Sequence, residues 1–245
     1  MSRRRRGIRQ RSAPLNRAEV RARIEEIGIV PAVRVSSEHV ARFAAEAVAR
    51  GGIPIVEIEM TVPGATDVIN YLVKHAPDMI VGAGSVYDVE SARRCIAAGA
   101  KFLTTDGLDL AIVNFANKEE IAVWPAALTP TEIITAWKAN PDFVKVFPCA
   151  PVGGDLYIRT IKKALVHVPL IAAGGVNQQT AQRFILAGAS ALGVGSDLIP
   201  DDALRLKQSE RIRELASRFR RFVSDARGQI EALRKNALRS TRREG

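Results

Sequence analysis

Short apolar runs alternate along this chain with longer stretches of helical periodicity. The runs are IVPAVRV, PIVEIEM, MIVGAG, KFLTT, IAVWPA, FVKVFP, PLIAAGG and ALGVGS. Each is β-branched or apolar almost throughout, as expected of a strand buried on both faces. The stretches between them carry helix punctuation. SSEHVARFAAEAVARGG opens on a serine cap and closes on glycine. TPTEIITAWKAN has proline just inside its start, with Thr129 or Thr131 as the cap. NQQTAQRFILAGA runs from a capping residue to a glycine stop. Eight strand–helix units with short links predict an α/β fold, a closed (β/α)8 TIM barrel. An open doubly wound sheet is the alternative. It often carries GxGxxG after its first strand, and that signature is missing here.

Two further helices frame the barrel. NRAEVRARIEEIG precedes the first strand and predicts a helix on the barrel floor. After the eighth strand, Ile212, Leu215, Phe219 and Phe222 share one helical stripe, which predicts a helix packed on the barrel wall. Beyond Gly228 that helix is expected to run on exposed or to fray. The domain reading is a basic tail over 1–13, the barrel over 14–227 and a basic extension over 228–245.

Charge modifies this picture only at the ends. The net charge is +10, but residues 1–12 hold six arginines and no acid, and residues 230–245 hold five basic and two acidic side chains. The body is close to neutral. The tails read as solvated, disordered ends; loose contact with nucleic acid or an anionic surface is the less favoured reading, since phosphate attraction needs only charge. No apolar run approaches the ~18 residues of a membrane span. The N-terminus is polar and has no apolar h-region, so a secretory signal is not expected. Cys95 and Cys149 form no CxxC or metal-type spacing, which suits a reducing cytoplasm.

In such a barrel the chemistry sits at the C-terminal ends of the strands. That places Arg34, Glu57, Glu59, Ser85, Thr104, Thr105, Asp106 and Lys145 near the mouth. Lys145 stands between Val144 and Val146. An amine that loses hydration there is biased toward its neutral, nucleophilic form and can attack a ketone to make a Schiff base. The plain alternative is a lysine facing the helices and paired with an acid. Glu57, in an equally apolar strand, is the natural partner of Lys145 and a proton shuttle; a purely structural ion pair is its alternative. Glu59, two residues on, points to the same face and should raise one carboxyl pKa by repulsion. Gly174 and Gly175, with Gly195 and Ser196, follow strands seven and eight, where many barrels bind phosphate through backbone N–H groups; tight turns alone would also use glycine. His39, His75 and His167 fall away from the strand ends, so a metal-dependent mechanism is disfavoured. Cys149 reads as packing.

VEIEMTVPGA, IVGAGSV, ALTPTE, FVKVFP and AAGGVN with GVGS, in this order over roughly residues 18–225, resemble the KDPG/KHG aldolase family. These class I lyases cleave 2-keto-3-deoxy-6-phosphogluconate or 4-hydroxy-2-oxoglutarate to pyruvate and an aldehyde. The resemblance implies a (β/α)8 barrel, commonly a homotrimer, working on a keto acid with no metal or organic cofactor. It implies Lys145 as the Schiff-base lysine and Glu57 as general acid/base. Arg34, Ser85, Gly174, Gly175, Gly195 and Ser196 would contact substrate. Glu59, Asp106 and Ala173 depart from the family pattern, where threonine, proline and threonine are usual, and Ala126 replaces a glycine. These departures bear on specificity, and phosphogalactonate aldolases resemble GGV with GSDL as well. Two other functions compete: a phosphate-binding isomerase or epimerase without an imine, and a non-catalytic barrel using its basic tails to hold nucleic acid.

Overall fold

The structure is a computed structural model that describes residues 15–241. Strands β1 (Ile29–Val33), β2 (Ile55–Glu59), β3 (Ile80–Gly84) and β4 (Phe102–Thr104) come first. β5 (Ala122–Trp124), β6 (Ala126–Ala127), β7 (Val144–Val146), β8 (Leu170–Ala173) and β9 (Ala191–Val194) follow. All pairings are parallel, in the order β5-β4-β3-β2-β1-β9-β8-β7-β6. The two ends of that order, β5 and β6, are separated in the chain by Pro125 alone, so the sheet closes on itself. This excludes the open doubly wound alternative.

The anticipated fifth strand is therefore two. Pro125 has no N–H to give the ladder. Its carbonyl still accepts from Lys145 N–H (2.9 Å), and the N–H of Ala126 leaves the ladder for the Thr105 hydroxyl (3.1 Å).

The helices α1 (Arg17–Ile27), α2 (Glu38–Arg50), α3 (Ala65–His75), α4 (Val89–Ala97) and α5 (Leu110–Lys118) alternate with the first strands. α6 (Pro130–Lys138), α7 (Asp155–Ala164), α8 (Ala181–Leu186), α9 (Asp201–Arg205) and α10 (Ser209–Thr241) complete the set. Their caps follow the sequence signals. Ser37 caps α2, which ends at Gly51. Thr129, rather than Thr131, caps α6 in a capping box with Glu132, with Pro130 at its first position. In the segment before α8 the Asn177 side chain instead holds the N–H groups of Gln179 and Thr180, and the helix starts at Ala181.

Alternation of side chains stacks the barrel interior in layers. Phe102, Trp124 and Phe143 form an aromatic layer: Phe102 stacks on Trp124 at 4.5 Å and Phe143 meets Trp124 edge-on at 5.7 Å. Gly82 makes room for it, since a Cβ there would lie 2.2 Å from the Phe102 ring. Helix α1 closes the floor below: Val20, Ile24 and Ile27 are buried, Arg21 lies over the Phe143 ring, and Arg17 pairs with Asp142 (3.0 Å), which also accepts the N–H of Val123. Two residues further along their strands stand Thr104 and Lys145. A polar layer thus rests directly on an aromatic one.

Helix α10 packs on α2 and α8 through Ile212, Leu215, Ala216, Phe219, Val223 and Ala226. Phe222, expected on that stripe, is only half-buried. The helix runs unbroken past Gly228, with residues 231–239 exposed. The arginine-rich segment 1–12 and residues 242–245 lie outside the described residues, and with them most of the tail reading. Among the described residues no helix is long and apolar enough to cross a membrane.

Candidate active site

At the C-terminal ends of the strands lies a cavity of about 350 Å³. Its wall includes Arg34, Glu57, Glu59, Asp106, Lys145, Phe147, Ala173, Gly174, Gly175, Gly195, Ser196, Asp197 and Asp201. Of the residues expected near the mouth from the sequence, Ser85, Thr104 and Thr105 do not line it, and the others do. Ser85 is 1% exposed and sits beneath Asp106.

Lys145 points inward from β7, 6% exposed, with Nζ 5.4 Å from the Phe147 ring centre. The barrel interior, rather than the helix layer, holds its amine. Its ion-pair partner corrects the expectation. Lys145 Nζ bonds Asp106 Oδ1 at 3.0 Å, not Glu57. The loop after β4 swings Asp106 over the lysine, while Glu57, on the opposite wall in β2, accepts from the Thr104 hydroxyl at 2.9 Å. Asp106 also accepts from Ser85 (2.7 Å) and Tyr87 (2.9 Å). Burial works to raise the Asp106 pKa, but the Lys145 charge and these three hydrogen bonds outweigh it and hold the carboxyl below its usual range.

Glu57 goes the other way. Burial drives its carboxyl above the usual carboxylate range; the Lys145 charge and the Thr104 hydroxyl pull it back only in part, and Glu59 and Asp106 add to the rise. Its position depends on β3. Gly84 faces it without a side chain, and a Cβ there would fall 2.0 Å from Glu57 Oε1. Glu59 does share the face of Glu57, as alternation requires. It is tied to Arg34 Nε at 2.5 Å, with longer contacts to Thr61 and Ser85 (3.4 Å each). Arg34 thus holds a carboxylate, but one from the chain itself.

The stretch of wall after β8, two strands along from β1 and Arg34, is backbone. Gly174 (φ +76°) and Gly175 (φ +95°) take left-handed conformations, and a Cβ on Gly175 would meet that of Ala150 at 2.3 Å. The turn after β8 therefore needs glycine to pass over the 148–150 segment, whatever it binds. Ala173 packs its methyl toward Gly193, its register partner.

Cys149 is fully buried, its Sγ donating to the Val146 carbonyl (3.1 Å), and burial pushes its thiol up to about 11. It is packing, as expected. Sequence reasoning passed over Asp197, Asp201 and Phe147 as wall residues. Asp197 and Asp201 had a signal: GSDLIPDD places acids directly after β9. Among the described residues no cluster of histidine, cysteine and acidic side chains could hold a metal.

The family model for KDPG and KHG aldolase matches residues 20–215. Over 188 residues the chain is 28% identical to the 2-dehydro-3-deoxy-phosphogluconate aldolase of Pseudoalteromonas atlantica, covering 77% of this chain and 87% of that one. It is 27% identical to the KHG/KDPG aldolase of Escherichia coli K12, covering 77% and 88%. Among solved structures, a KDPG aldolase from Legionella pneumophila, captured with pyruvate as a covalent carbinolamine intermediate, superposes with a TM-score of 0.74. That pair is 25% identical, over 80% of this chain and 96% of the other.

Proposed function

The chain belongs to the KDPG and KHG aldolase family, and we propose that it cleaves a 2-keto-3-deoxy sugar acid, or 4-hydroxy-2-oxoglutarate, to pyruvate and an aldehyde through a Schiff base on Lys145. It is a class I aldolase, a lyase. The observation that carries the assignment of roles is the buried amine of Lys145 in the cavity, with a carboxyl held above its usual pKa on the opposite wall.

In this mechanism the Lys145 ammonium first gives up a proton, and the free amine attacks the 2-keto carbon. Glu57, whose protonated form is favoured by burial, donates to the departing hydroxyl as the carbinolamine loses water and becomes an iminium. The resulting Glu57 carboxylate takes the proton of the C4 hydroxyl. The C3–C4 bond breaks, its electrons move to the iminium nitrogen, and the aldehyde leaves. Protonation of the enamine and addition of water release pyruvate and the amine. Arg34 and the backbone at Gly174, Gly175, Gly195 and Ser196 would hold the ends of the substrate, with Ser85 acting through Asp106. Assembly as a homotrimer acting on a small keto acid in the cytoplasm belongs to the same proposal.

The test is borohydride trapping with pyruvate. The adduct mass should appear on Lys145 and vanish in Lys145→Ala, which should still fold. Label on another lysine, or none, would overturn the assignment. No adduct would also be the result for an isomerase working without an imine.

A further inference from the structure

We propose that the aldehyde half of the substrate is an unphosphorylated polyhydroxy chain, with its hydroxyls donating to Asp197 and Asp201. This rests on the aldolase reading above. The cavity that holds Lys145 in β7 runs along to the turns after the neighbouring strands β8 and β9, which offer a wall for the far end of an acid anchored there. Gly174, Gly175, Gly195 and Ser196 lie there, and so do Asp197 and Asp201 on the same wall.

The charges of that wall do not suit a phosphate. Among the described residues lining the cavity there are two cations, Lys145 and Arg34. Both already have a carboxylate partner, Asp106 at 3.0 Å and Glu59 at 2.5 Å. Helix α9, next to the turn, has five residues and two aspartates, Asp201 and Asp202, in its first turn. Arg211 and Arg218 line a neighbouring hollow that shares Ser196 and Asp197, but they pair with Asp202 (2.6 Å) and Glu214 (3.9 Å). Hydrogen bonding points the same way as charge. An ionised carboxylate only accepts, and a phosphate dianion only accepts, so neither has a proton to share with the other. A sugar hydroxyl donates, and a carboxylate is its strong acceptor. The glycines of the β8 turn are required by its close pass over Ala150 and do not by themselves call for phosphate.

The experiment compares pyruvate release from matched 2-keto-3-deoxy hexonates with and without a 6-phosphate, in the gluconate and galactonate configurations. The unphosphorylated acid should have the higher kcat/KM by about tenfold or more. Asp197→Asn/Asp201→Asn should move that ratio about tenfold toward the phosphorylated acid. Both positions are exposed, so the variant should fold. Equal or better use of the phosphorylated acid by the natural sequence overturns the proposal, as does an unmoved ratio in the double variant. Borohydride trapping of pyruvate separates the two layers. An adduct on Lys145 with preference for phosphate, or with cleavage of neither acid, overturns the tail assignment alone. No adduct and no cleavage overturns the aldolase reading and the tail assignment with it.

Discussion

Replacing Gly84 by alanine tests whether the role proposed for Glu57 depends on the place β3 leaves for its carboxyl. The new Cβ would sit 2.0 Å from Glu57 Oε1 and 2.6 Å from its Cδ and Cγ, where ordinary contact begins at 3.4 Å. The carboxyl must therefore move by about 1.4 Å. β3 cannot retreat instead, because it is paired to β2 on one side and β4 on the other. A move of that size breaks the 2.9 Å bond from Thr104. Overpacking of this kind costs about 1–3 kcal/mol, and in a chain of this length each kcal/mol lowers Tm by about 2–4 °C. Gly84 is not left-handed, so alanine meets no backbone strain there. A misplacement near 1 Å costs about 100-fold in turnover. Pyruvate release should show that loss, while circular dichroism shows a folded protein and trapping still labels Lys145 on the opposite wall. Shortening Glu57 to aspartate withdraws the carboxyl by one C–C bond, about 1.5 Å, close to the overlap. Gly84→Ala/Glu57→Asp should thus exceed Gly84→Ala in turnover, a coupling that a double-mutant cycle measures. Turnover in Gly84→Ala equal to that of the natural sequence, or no recovery in the double variant, would refute the reasoning.

Asp106→Asn should destabilise the fold by about 1–3 kcal/mol at neutral pH, less than for a fully buried pair because Asp106 is partly exposed. Its carboxyl is lowered in the fold, so the stability it contributes is present above the ordinary aspartate value and lost as pH falls through the folded one; the gap in urea midpoint should close toward about pH 3, and a pH-independent gap would contradict this. Glu57 is raised, so its burial costs nothing below the ordinary glutamate value and more as pH rises toward the folded one. Glu57→Gln should match the natural protein near about pH 4 and be the more stable at neutral pH, with turnover down about 100-fold; equal stability at neutral pH would count against it. Burial pushes the Cys95 and Cys149 thiols up to about 11, so a maleimide at neutral pH should label neither until the chain is unfolded, and prompt native labelling would show a more open fold. Sedimentation at micromolar concentration should give a trimer, and a monomer would reject the assembly.

The barrel was legible because eight short, mostly apolar runs, each followed by a helical stretch, are best satisfied between helices and a closed interior. The break at Pro125 was visible as a proline, but its consequence was not. Whether the N–H of Ala126 finds a substitute depends on Thr105, twenty-one residues away in sequence and set by the path of another loop. The same limit explains the lysine. Period-two alternation leaves Lys145 either inside or facing the helices, and the structure places it inside with Glu57. Alternation says nothing of Asp106, which lies beyond the last residue of β4 and reaches Nζ only because the loop folds inward. Glu59 read as a repelling neighbour of Glu57, yet its nearest charge is Arg34, brought across by the pairing of β1 with β2. Residues within strands were placed by pattern, and turn residues such as Arg34, Asp106 and Gly174 by their position after strand ends; the partners those turn side chains take were not, since turns carry no period.

The ion pair on Lys145 bears on the chemistry as well as on the fold. An ammonium beside Asp106 is a poor nucleophile, so the pair opposes the first step of the proposed mechanism. It does not oppose the later ones. The iminium carries the same single positive charge as the ammonium, at the nitrogen that faces Asp106. A carboxylate held ionised by Ser85, Tyr87 and Lys145 therefore keeps its counter-ion through the stage at which the C–C bond breaks. The neutral carbinolamine between them lacks that attraction. In the proposed mechanism Asp106 would thus favour the charged ends of the sequence over its neutral middle and help dehydration forward. In the proposed mechanism Glu57 takes the complementary task, because burial favours its protonated form and so the donation that dehydration needs. Two carboxyls in one cavity are pushed apart in pKa by the opposed effects of burial and charge, and that separation divides the labour between them.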